Sequence, residues 1–121
     1  MNLNMMSWNA TEMMTSIPYL LNVLKRKTIS ICGVSEHWLL QHNAYILQTV
    51  NKDYDSHVIT CSNPKSLNGR LYGKGGVAIL WHKSLSNIIE PIETYSDRIA
   101  AVRLNCSEFN IQFRHKPCTS P

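Results

Sequence analysis

Two polar side chains stand where this sequence should be leaving buried strands. Asn9 closes "LNMMSWN", and Glu36 follows "TISICGVS". A carboxylate beside an amide is a plausible seat for Mg²⁺. The carboxylate is a hard oxygen ligand, and the amide can orient a water, a phosphate or a second carboxylate. Mg²⁺ usually takes only one or two protein carboxylates and fills its shell with water and substrate phosphate, so a single Glu is compatible with such a site. The alternative is that Glu36 simply ends its strand, capped or paired. His37 and Trp38 follow directly. His37 reads as a surface residue, with a phosphate contact as the other option. Trp38 reads as packing that braces the loop.

For Asn9 and Glu36 to meet, the segments carrying them must lie side by side. Residues 3–9 read as a short strand. In "TSIPYLLNVLKRK", Ile17, Leu20, Leu21 and Leu24 fall at helical spacing and make one apolar face. Thr15 or Ser16 can cap this helix, Pro18 suits its first turn, and Lys25, Arg26 and Lys27 complement the dipole at its end. That basic triplet reads as a solvated helix end in preference to a nuclear or nucleic-acid patch. "TISICGV" reads as a second, buried strand. Strand, helix, strand over some 35 residues predicts a right-handed βαβ unit with parallel strands. The C-terminal ends of such strands share one sheet edge, where ligands bind. Asn9 and Glu36 are therefore expected together.

Further along, residues 39–48 suggest a short helix and "DSHVITCS" a strand. "NPKSLNGRLYGKGG" reads as a long polar loop, and "GVAILWH" (76–82) is the clearest strand of all. Within the loop, Arg70 and Lys74 could touch DNA phosphate; a plain surface loop is the other reading. "GRLYGKGG" is not a Walker motif, because Gly75 follows Lys74 and a strand follows in turn. "DRIAAVRLN" (97–105) is a further strand. "SEFNIQFRHKPCTSP" starts as another and becomes a basic, proline-bearing tail.

The chain has 121 residues, which suits one small domain, and a net charge of +4, which leans towards polyanionic partners. None of the four cysteines, at 32, 61, 106 and 118, makes a C-x-x-C pair, which argues against a zinc knuckle or a thioredoxin-type site. Cys32 lies in an apolar run and reads as a buried thiol, in a reduced, intracellular chain, nuclear or cytoplasmic. No stretch approaches the roughly 20 apolar residues of a membrane span.

"MSWNAT" before an amphipathic helix, then "ISICGVSEHWL", "GKGGVAILWHKSL" and "SDRIAAVRL" in that order, resembles the endonuclease/exonuclease/phosphatase superfamily. With SEHWL in place of the more usual Gln-Glu-Thr, the likeness is greatest to the apurinic-type endonuclease domain of LINE-class retrotransposons and their reverse-transcriptase polyproteins. It covers about residues 3–105. The resemblance implies an α/β (α+β) fold, the N-terminal half of a four-layer α/β β-sandwich, here one mixed sheet with a flanking helix. It implies Mg²⁺-dependent hydrolysis of DNA phosphodiester bonds, with Asn9 matching the family's active-site Asn and Glu36 its metal-binding Glu.

His37 and Trp38 match no catalytic position of the family. Asp55 and His57 in "DYDSH" have the wrong order and place for its late Ser-Asp-His motif, and read as the lead into a strand. Ser96-Asp97-Arg98 matches a region that opens a strand. The family's Tyr, its Asp-x-Asn motif and its final Asp-His pair have no counterpart here. The expectation is a partial domain over 1–113 with an irregular tail over 114–121, inactive alone. Its missing half would come from another chain or from self-association. A nucleic-acid-binding or protein-interaction module without catalysis is the alternative. A sheet without that half should leave its inner face, with Val77, Ile79 and Trp81, uncovered and prone to aggregate.

Overall fold

The first strand, β1 (Met5–Asn9), runs parallel to β2 (Ile31–Ser35), and the helix α1 (Met13–Arg26) crosses between them. This is the expected βαβ unit. The computed structural model describes residues 3–11, 13–49, 51–60, 65–67, 70–72, 75–105 and 110–115, with side chains described over 3–11, 16–49, 51–60 and 75–105. The apolar face of α1 buries Leu20 and Leu24, and Ile17 packs against the same cluster. The helix starts earlier than the expected cap at Thr15 or Ser16, so Pro18 lies inside it and not in its first turn. Pro18 is exposed, so the carbonyl its missing N–H leaves unpaired can meet water.

β6 (Val77–His82) pairs antiparallel with β2 on one side and with β3 (Tyr54–Ile59) on the other. The mixed sheet therefore has the order β1-β2-β6-β3. All of β2 and residues 77–81 of β6 are buried. These central strands are covered on both faces, which is why they read as nearly continuous apolar runs. On one face Cys32, Val34, Ala78 and Leu80 meet Leu20 and Leu24 of α1. Burial pushes the Cys32 thiol up to about 12.

The other face is not bare, contrary to expectation. A second, antiparallel sheet lies on it, built from β7 (Ile89–Ile92), β8 (Ala100–Asn105) and β9 (Asn110–His115). Ala100, Val102 and Leu104 of β8 close over Ile31, Val77, Ile79 and Trp81. Burying a Val or Ile side chain is worth roughly 1.5–3 kcal/mol, so covering Val77 and Ile79 is a sufficient reason for the sheets to stay together. The edge strand β1 differs. Met6 and Trp8 pack on the helix side, while Met5, Ser7 and Asn9 on the other side are exposed.

Of the two connections, the first holds the expected short helix and the second departs from expectation. Residues 39–48 form a single 3₁₀ turn, Gln41–Asn43, and then a short helix α2 (Tyr45–Thr49). The expected polar loop contains a hairpin, β4 (Lys65–Leu67) with β5 (Arg70–Tyr72). No helix among the described residues is long and apolar enough to cross a membrane.

Candidate metal and phosphate site

The parallel register sets Asn9 opposite Ser35, and the Ala10 N–H donates to the Ser35 carbonyl at 2.8 Å. Glu36 is the next residue, so the two predicted site residues leave adjacent strand ends. The Asn9 amide is oriented by its own turn. Its Oδ1 accepts from the Thr11 N–H at 3.1 Å and from the Thr11 hydroxyl at 2.8 Å. A backbone N–H can only donate, so the accepting atom is the oxygen.

Glu36 sits in the left-handed region, with φ at 59°, and Trp38 does too, at 58°. Such a conformation costs a non-glycine residue roughly 1–2 kcal/mol, and it persists only where neighbours fix it. Here the fixing groups come from the residues before β6. The Glu36 N–H donates to the Gly76 carbonyl at 2.9 Å, and the Trp38 N–H to that of Gly75 at 3.0 Å. The half-buried carboxylate accepts from the Trp38 indole, Nε1–H to Oε2, at 2.8 Å. Among the described residues, Oε1 accepts no hydrogen bond.

His37 between them is fully buried, not a surface residue or a phosphate contact. The Leu39 N–H donates to Nδ1 at 2.9 Å, which fixes that nitrogen as the acceptor. Nε2–H therefore donates to the Ile59 carbonyl, also at 2.9 Å. Both ring nitrogens are used, and the ring is neutral. Burial lowers its pKa, opposed by hydrogen bonding to the backbone of Ile59 and Val77 and by the Glu36 charge. Gly76 makes room for the ring. A Cβ there would stand 2.6 Å from Nε2 and 2.8 Å from Nδ1. The signal in the sequence was the Gly75-Gly76 pair ahead of an apolar strand, which marks a close approach as readily as a loose loop.

The remaining candidates lie elsewhere. Asp55 and His57 are within β3, not in a lead to it. Asp55 is paired with Trp81, at the far end of β6 from Gly76, and accepts a hydrogen bond from the Ser86 hydroxyl. His57 has its Nε2 buried with no hydrogen-bond partner among the described residues, and burial lowers its pKa against the opposing charge of Glu93. Ser96-Asp97-Arg98 lies in the turn before β8. Arg70 contributes backbone to β5, but its side chain lies outside the described residues, as does all of Lys74.

The donors present suit one side of a Mg²⁺ shell. Glu36 offers a carboxylate oxygen that accepts no hydrogen bond among the described residues, and the Asn9 oxygen already carries two. Among the described residues no three His, Cys, Asp or Glu side chains gather as a complete cation site would.

No family model and no curated protein matches the sequence. Solved structures do match. An AP endonuclease from Leishmania major superposes with a TM-score of 0.72 at 10% identity, over 93% of this chain and 39% of its own. An endonuclease/exonuclease/phosphatase family protein from Leptotrichia buccalis gives 0.63 at 18%, over 96% and 54%. A 3′ phosphatase from Neisseria, bound to a product DNA hairpin, gives 0.58 at 17%, over 92% and 40%. The chain thus spans about two fifths to a half of the structures it matches. At these identities the likeness is one of fold, and the fold is that of the endonuclease/exonuclease/phosphatase proteins.

Proposed function

We propose that this chain carries the N-terminal half of a Mg²⁺-dependent DNA phosphodiester hydrolase of the retrotransposon apurinic-type, and that its 121 residues do not cut DNA alone. The observation that carries the reading is the register bringing Asn9 beside Ser35 and Glu36 at the strand ends, in a fold shared with AP endonucleases. On this reading residues 1–113 are the domain portion and 114–121 a tail. The chain acts inside the cell, in nucleus or cytoplasm, on DNA.

Glu36 would hold Mg²⁺, and bound there the ion would neutralise charge on the phosphoryl group and lower the pKa of water. Asn9, its Oδ1 held by Thr11, has its amide hydrogens as the groups that can meet a phosphate oxygen. Among the described residues, neither His37 nor Asp55 is placed to transfer a proton at this site. His37 is walled in with both nitrogens engaged, and Asp55 is at the other end of the sheet. General acid–base help alone is worth roughly 10²–10⁴ in rate.

The test is nicking of supercoiled plasmid at neutral pH with Mg²⁺. None is expected. Nicking that survives repurification and disappears in Glu36→Ala overturns the inactive reading. Nicking that Glu36→Ala leaves untouched comes from a contaminant or another site. A non-catalytic nucleic-acid-binding module is the second reading, favoured by the lack of a three-residue metal-ligating cluster among the described residues. It requires DNA affinity that falls steeply with salt.

A further inference from the structure

Trp38 is fixed at both its backbone and its ring. The backbone N–H is tied to Gly75, the left-handed backbone turns the indole back towards Glu36, and Nε1–H reaches Oε2. An indole nitrogen can only donate, and a donor to a carboxylate makes one of the stronger hydrogen bonds a protein forms. A glutamate side chain left to itself samples many rotamers. This one has one oxygen occupied, and the other accepts no hydrogen bond among the described residues.

We infer that Trp38 is a positioning residue, whose indole N–H occupies Glu36 Oε2 and so selects Oε1 as the oxygen that takes a divalent cation. This rests on Glu36 being the Mg²⁺ ligand, as proposed above. Two effects oppose each other. A hydrogen bond draws charge from the carboxylate and weakens it as a donor. It also removes the rotamers in which the carboxylate cannot bind. The donor is neutral and sits on the non-ligating oxygen, so the loss of charge is small and the gain in orientation wins. Groups that hold a ligating side chain in place are typically worth 10–100-fold in metal affinity. If Trp38 only braces the loop, cation affinity is indifferent to its N–H.

The experiment uses the full chain with ¹⁵N-labelled indoles, which gives one signal each from Trp8, Trp38 and Trp81. Titrated Mg²⁺ should shift the Trp38 signal saturably. Trp81, which donates to Ser86, should stay still. Glu36→Gln should abolish the response. Trp38→Phe, which keeps an aromatic ring and removes the donor, should weaken Mn²⁺ binding measured by electron paramagnetic resonance about tenfold.

Mn²⁺ binding lost in Glu36→Gln but unchanged in Trp38→Phe overturns the inference and leaves Glu36 as ligand. Binding that Glu36→Gln does not affect, or no binding at all, overturns the ligand assignment and the inference with it. Should Trp38→Phe not fold, the unaltered chain decides, because a Trp38 signal unmoved by Glu36-dependent Mg²⁺ binding overturns the inference.

Discussion

At the Glu36 end of the mixed sheet, backbone groups do most of the holding. Gly75 and Gly76 receive the N–H groups of Trp38 and Glu36, and His37 fills its space between Leu39, Ile59 and Gly76. At the opposite end, where β2 begins and β6 finishes, backbone bonds such as His82 N–H to the Ser30 carbonyl and Lys83 N–H to the Asp53 carbonyl are supplemented by a larger set of side-chain bonds. The Tyr54 hydroxyl donates to the Ile29 carbonyl, the Asn4 amide to that of Thr28, and the Trp81 indole to the Ser86 hydroxyl, which donates on to Asp55. An open cavity of about 960 Å³ remains there, lined by Leu21, Leu24, Lys25, Lys52, Tyr54 and His82 among others. Both ends have left-handed non-glycine residues, Glu36 and Trp38 at one and Thr28 at the other, but at the first the His37 ring lies hard against Gly76. The other has adjustable side chains and room. An end that must present a carboxylate in one orientation gains from the first construction.

The sharpest way to break this comparison is at the glycine pair. Gly76 has φ at 85° and the His37 ring against it, whereas Gly75, at 96°, has nothing within 4 Å of an added Cβ. Gly76→Ala should cost about 3 kcal/mol or more, from left-handed strain plus overpacking, and Gly75→Ala about 1 kcal/mol from strain alone. Denaturant melts of the two variants check it. Equal costs would mean that His37 can move aside.

The next test is acid. Burial lowers the pKa of His37 and of His57 in the folded chain, whereas an unfolded histidine titrates near 6.5. Below that value the unfolded state binds more protons. The stability from burying neutral rings is therefore fully present above about pH 6.5 and is lost as the pH falls towards the folded values. Melting temperatures should decline steadily from pH 7 to pH 5. A flat profile would contradict the tight end.

Tyr54→Phe probes the looser end. It removes one hydrogen bond to the Ile29 carbonyl, beside a cavity where water can replace it. The expected cost is about 1 kcal/mol by urea melt. The smallest effect belongs to Lys52→Ala, an exposed side chain at the cavity rim. It should change stability by less than about 0.5 kcal/mol. A larger loss would give that rim a structural role equal to the Glu36 end.

The βαβ unit and β6 beside it were legible because Leu20 and Leu24 follow a helical period and "ISIC" and "VAILW" are apolar runs of strand length. The second sheet was harder to see. β7 is four residues long and carries Pro91, which argues against a strand except at an edge, and β7 is an edge. Without it, β8 was read into the first sheet, and the inner face looked uncovered. The position of His37 was illegible for another reason. Flanked by Glu36 and Trp38, it reads as solvent-facing, and its burial depends on Ile59 and Gly76, far away in sequence. Asn9 and Glu36 were easier, since strand ends follow from the strands.

The order of strands in the mixed sheet has a consequence for synthesis. β6 lies between β2 and β3 although it is made after both. Until residues 77–82 emerge, β3 has no strand of this sheet to join, and only the β1-α1-β2 unit can form. At roughly 5–20 residues per second, the chain between the end of β3 and the end of β6 takes on the order of seconds to make. During that interval the apolar residues of β3 depend on α2 and on the growing chain's own solubility. A pause in translation just before Val77 would lengthen that exposure, whereas one after His82 would come when the sheet can already close.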